Sequence, residues 1–122
     1  MVFKSNIFIL MSLNKEIKDF RNKRKQDLIS VFGYRCGICG YYRCEAALEF
    51  HHVNPKEKSY SLSNSKFRTL KEDLEEASKC ILVCSNCHRE IHYTDRYKNV
   101  DLFKYQNFNK IIVEKLLKKE KK

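Results

Sequence analysis

Apolar residues recur along this 122-residue chain with two periods, one helical and one suited to short strands. In residues 14–32, NKEIKDFRNKRKQDLISVF, Ile17, Phe20, Leu28, Val31 and Phe32 fall at helical spacings, with Arg24 interrupting the stripe. Asn14 is placed to cap this helix and Gly33 to end it. Lys15, Lys18, Arg21, Lys23 and Lys25 occupy the rest of its surface. Residues 1–13 read as an N-terminal extension, loose or docked on the core. AALEFHHV, 46–53, reads as a strand, and Pro55 ends it. Residues 56–69 are polar, rich in Ser and Lys, and predict a loop. LKEDLEEASK predicts a short acidic helix with Leu70, Leu74 and Ala77 on one face. CILVC is a brief buried strand, and SNCHREIHYTDRY is the next helix, with Ser85 as its cap. Residues 99–119 predict a last amphipathic helix with Leu102, Phe103, Phe108, Ile112 and Leu116 inward. No repeat or linker interrupts this order. The expectation is one small α+β domain over 14–122, with a core at 36–97 and flanking helices at 14–32 and 99–119.

A chain this short builds a modest core and gains from a staple. Six cysteines are available: Cys36, Cys39, Cys44, Cys80, Cys84 and Cys87. Cys36 with Cys39, and Cys84 with Cys87, are knuckle pairs, a spacing that suits zinc better than disulfides. Together they fill a tetrahedral structural zinc site and leave the histidines outside it. Cys44 and Cys80 have no spacing partner and read as small buried hydrophobes. Only Lys4 precedes the first apolar run and no small-residue cleavage site follows, so no secretory signal is expected. No stretch reaches the roughly 20 apolar residues of a membrane span. A reducing, cytoplasmic compartment is the expectation. The net charge of +10 points to a polyanionic partner, although a basic chain also gains solubility from charge alone.

The four histidines are His51, His52, His88 and His92. A two-Cys, two-His finger fails on spacing, because His88 follows Cys87 directly and His51 and His52 are adjacent. His88 and His92 lie four apart and share a helix face. His51 and His52 point to opposite faces of a strand, so one can grip a metal while the other stays free as a base. Taken singly, such pairs are more often structural. Three imidazoles around a divalent ion, with a fourth beside it, can run phosphodiester hydrolysis.

CGIC, then EFHHVNP, then KCILVCSNCHREIH resemble the HNH endonuclease family, especially its small zinc-stapled members, over residues 36–92, about half the chain. The resemblance implies a ββα-metal core, a structural zinc on Cys36, Cys39, Cys84 and Cys87, and cleavage of DNA rather than RNA, with no role for a membrane. It implies His52 as general base, and His51, His88 and His92 around a catalytic divalent ion; magnesium or manganese is the expectation, and three histidines also tolerate softer divalent metals. Cutting both strands would call for a homodimer, and no interface is legible. The family's middle Asn stands nine residues before the first helix histidine, where this chain has Lys79. Lys56, Lys58, Lys66 and Arg68 follow the dyad and are candidates to grip the nucleic-acid backbone, with Tyr60 to stack on a base. Lys79 also leaves open a zinc-stapled nucleic-acid-binding protein with a lapsed active site. A zinc-ribbon adaptor is a third reading, and it gives the histidines no role.

Overall fold

The computed structural model describes residues 2–62 and 68–120, with the side chains of residues 2–14, Ile17 and Glu120 excepted. At its centre β1 (Leu48–His52) and β2 (Cys80–Cys84) pair antiparallel, with Leu48 opposite Cys84 and His52 opposite Cys80. All five residues of β2 are buried, which is why CILVC is a continuous apolar run. The backbone N–H of Gly37 donates to the carbonyl of Leu82 at 2.7 Å, laying the first knuckle along β2. A Cβ at Gly37 would meet that carbonyl oxygen at 3.2 Å, so the close approach favours glycine.

Helices surround this pair. α1 (Val2–Val31) begins well before the Asn14 start expected from sequence, because no Pro or Gly interrupts residues 2–31. Residues 2–13 of the segment read as an extension are therefore helical. Gly33, with φ +91°, ends α1 as expected. α2 (Leu70–Ala77) starts on a capping box in which the Thr69 hydroxyl accepts from Glu72 N–H and the Glu72 carboxylate accepts from Thr69 N–H. α3 (Ser85–Tyr93) follows β2 without a break and packs on both strands. α4 (Leu102–Glu120) lies against β2, where Asn109 Nδ2 donates to the Cys80 carbonyl at 2.9 Å.

Two apolar clusters form the core. Ile29, Leu48, Ile81 and Val83 gather with Cys36, Cys84 and Cys87 under the knuckles. Leu28, Leu74, Ala77 and Val113 gather between α1, α2 and α4. Phe32 and Phe50 touch both clusters and meet edge to face, their ring centroids 5.6 Å apart. The expected inward face of α4 is corrected: Phe103 and Phe108 are exposed, and Gln106 and Val113 are buried. Leu102, Gln106, Asn109, Val113 and Leu117 form the true inner stripe, at spacings of four, three, four and four. Leu70 is likewise exposed, although Leu74 and Ala77 of its face are buried. Arg24, which interrupts the apolar stripe of α1, turns inward to pair with Asp73 at 2.6 Å. Among the described residues no helix is long and apolar enough to cross a membrane.

Candidate functional site

The two knuckles meet. Cys36, Cys39, Cys84 and Cys87 place their sulfurs within 4.8 Å of one another, although the pairs are 45 positions apart in sequence. None is in a disulfide. Cys39 Sγ and Cys84 Sγ are 3.7 Å apart. Sulfurs at about 2.3 Å from a tetrahedral ion would be separated by about 3.8 Å, so the spacing suits a shared metal. Backbone N–H groups of Ile38 and Cys39 donate to Cys36 Sγ, and Cys87 N–H donates to Cys84 Sγ, each at 3.4 Å. Burial alone would raise the Cys36 thiol, but backbone N–H donors, that of Cys39 foremost, hold it down at about 7. Cys84 is also the residue that caps α3, a correction to the Ser85 cap expected from sequence. The Ser85 hydroxyl turns away, donating to Ala47 O at 3.2 Å and to Glu49 Oε1 at 2.9 Å. Cys80 is buried as expected, and its thiol is pushed up to about 12, chiefly by burial. Cys44 is exposed instead, because it stands on the turn that leads into β1.

Directly after the knuckle and one turn further on, α3 presents His88 and His92 to His51 of β1. A ring nitrogen of each lies within 4.8 Å of the others. His88 Nε2 and His92 Nε2 are 3.1 Å apart. His88 Nδ1 is hydrogen-bonded to Glu49 Oε2. Burial alone would raise the Glu49 carboxyl, but the bonds from His88 and Ser85 outweigh it and hold the group below its ordinary value. An ionised carboxylate only accepts, so the proton of this contact belongs to Nδ1. In the neutral ring the Nε2 lone pair of His88 then faces the cluster, the arrangement a carboxylate gives a metal-binding histidine. His51 is pushed down to about 4, by burial first and then by the neighbouring imidazoles, which keeps it neutral and able to ligate. Three converging nitrogen donors with one ring oriented from behind fit a divalent ion.

His52 points the other way along β1, as strand alternation requires. Its Nε2 lies 2.8 Å from Glu76 Oε2 on α2. Glu76 also accepts from Ser59 N–H at 3.1 Å and, through Oε1, from Lys79 Nζ at 2.9 Å. Lys79 Nζ donates in turn to the Ser59 hydroxyl at 3.0 Å. Burial would raise the Glu76 carboxyl, but these donors, Lys79 first, hold it below its ordinary value.

A cleft of about 690 Å³ opens where these groups meet, and His51, His52, His88 and His92 all line it. Of the expected phosphate contacts, Lys58 is exposed and lines this cleft, and Lys56 is exposed away from its lining. Lys66 lies outside the described residues. Arg68 is not the free surface cation that the sequence suggested. Its side chain is 9% exposed, its Nε donates to Asp73 Oδ1 at 2.7 Å, and its guanidinium lies over the Tyr60 ring. Tyr60, expected to stack on a base, is engaged by Arg68 and donates its hydroxyl to Asp73 at 2.9 Å.

Sequence reasoning passed over Glu49 and Glu76. Glu49 left a signal, since it stands two residues before His51 and a strand puts both on one face. Glu76 left none that separates it from the other acids of α2. No family model matches this chain, and neither a curated protein nor a solved structure matches it.

Proposed function

We propose that this protein is a metal-dependent endonuclease of the HNH kind that hydrolyses phosphodiester bonds in DNA. In this reading β1, β2 and α3 form the ββα-metal core, and Cys36, Cys39, Cys84 and Cys87 hold a structural zinc. The observation that carries it is the convergence of His51, His88 and His92, with His52 on the wall of the same cleft. The three histidines would hold a divalent ion, magnesium, manganese or a softer metal that three imidazoles tolerate. Bound there, the ion supplies Lewis acidity for the charge that builds on the phosphate and the leaving 3′-oxygen.

The chain supplies the base and its support. Because Glu76 is ionised and only accepts, the proton of the His52–Glu76 contact sits on Nε2. In the neutral ring the lone pair is then on Nδ1, which takes the proton of the attacking water. Glu76 stabilises the imidazolium that results, as a carboxylate behind a catalytic histidine does elsewhere. Lys79 replaces the family's Asn, and its work is to brace Glu76 and Ser59. Orientation of the base thus has a different anchor in this chain, which weakens the case for a lapsed site.

Labelled duplex DNA incubated with manganese or magnesium should give fragments ending in 3′-hydroxyl and 5′-phosphate groups. His88→Ala should abolish them while the four-cysteine site keeps its ion by elemental analysis. Unchanged cleavage by a folded His88→Ala protein would exclude the histidine cluster as the catalytic centre.

A further inference from the structure

Away from the histidines that line it, the cleft has walls of two further kinds. Phe20 and Leu28 of α1, Phe50 of β1 and Leu62 make an apolar lining. Arg21 and Lys25 of α1 and Lys58 stand around it. The two carboxylates of the lining, Glu49 and Asp73, are already engaged by His88 and by Arg24 and Arg68. Among the described residues Arg21, Lys25 and Lys58 have no carboxylate partner.

A cleft of about 690 Å³ falls in the range of roughly 300–1,000 Å³ typical of pockets that enclose a small molecule. A DNA duplex, whose grooves alone are about 6–12 Å wide, does not fit inside it. One nucleotide does, and only if its base is unpaired. Apolar and aromatic walls suit a base face, and cations suit the adjoining phosphates.

We infer that this cleft receives a single unpaired nucleotide of the DNA strand next to the cleaved bond, so that the protein prefers DNA containing an unpaired nucleotide over a perfect duplex. The inference rests on the endonuclease reading for the place of the bond, but its test needs no cleavage. The zinc-loaded protein, with no magnesium or manganese added, is titrated into two fluorescein-labelled duplexes at one salt concentration. One is fully paired and the other carries a single bulged nucleotide. The bulged duplex should bind about tenfold more tightly, the order that one stacked base contributes.

Asn22 lies on the exposed surface of α1 and lines the cleft, so Asn22→Trp should narrow it without disturbing the core. That variant, checked by its thermal melt, should bind both duplexes alike. Equal affinities in the wild type, or a preference that survives Asn22→Trp, would overturn the inference. A protein that cuts DNA yet ignores the bulge refutes the inference alone. A protein that selects the bulge but never cuts refutes the endonuclease reading alone.

Discussion

Asp73 shows how one buried charge can organise three elements. Its carboxylate accepts from Arg24 at 2.6 Å, Arg68 at 2.7 Å and Tyr60 at 2.9 Å, which ties α1 and the segment before α2 to α2 itself. Burial would raise the carboxyl, but the donors, Arg68 first, outweigh it and hold Asp73 below its ordinary value. The folded value thus lies below the unfolded one. The stability this group contributes is complete above about pH 4 and is lost as pH falls through the folded value. Asp73→Asn leaves two largely buried guanidinium groups without their anion and should cost about 3 kcal/mol at neutral pH. In urea titrations the gap between wild type and variant should shrink on acidification below about pH 4. A gap that stays constant down to about pH 2 would contradict this account of Asp73. Nothing in the sequence discloses the network, because the Arg24–Asp73 pair spans 49 positions and Arg24 reads there as a break in a stripe.

At the scale of elements, local pattern was enough for β2, for α3 and for the glycine stop of α1. Each is fixed by contiguous residues: an unbroken apolar run, a knuckle that caps a helix, a residue free to take positive φ. α4 was legible as a helix but not in its orientation. Apolar residues stand nearly all around it, and only packing against β2 and α2 decides which of them turn inward. Polar Gln106 belongs to the buried stripe, which no hydropathy count would select. Val113→Ala should therefore destabilise the fold by about 2 kcal/mol. Phe108→Ala, at a residue 62% exposed, should change it by less than about 0.5 kcal/mol. Equilibrium unfolding of the two variants distinguishes the observed helix face from the one that the sequence suggested.

For the whole molecule, the four cysteines bring the loop after α1 to the junction of β2 and α3, and a metal held there would fix the frame on which the histidines sit. On the proposed structural zinc, a chelator should abolish the cooperative melt, and Cys84→Ser should do the same without a chelator. A chelated protein that melts unchanged would mean that the core stands without the staple. Both clusters were legible in the sequence because metal ligands obey spacing rules that survive without knowledge of the fold. What surrounds them was not. Glu76 reaches His52 from α2, and Lys79, three residues further on, and Ser59 hold Glu76 in place; only the tertiary structure brings these two segments to His52. The most direct measurement is nicking of supercoiled plasmid by the zinc-loaded protein in manganese or magnesium, with His52→Ala alongside. Conversion to open circles by the wild type, dependent on the added ion and lost in a folded His52→Ala protein, is the predicted result. No nicking by folded wild type with any divalent ion, or equal nicking by His52→Ala, would contradict the proposed function.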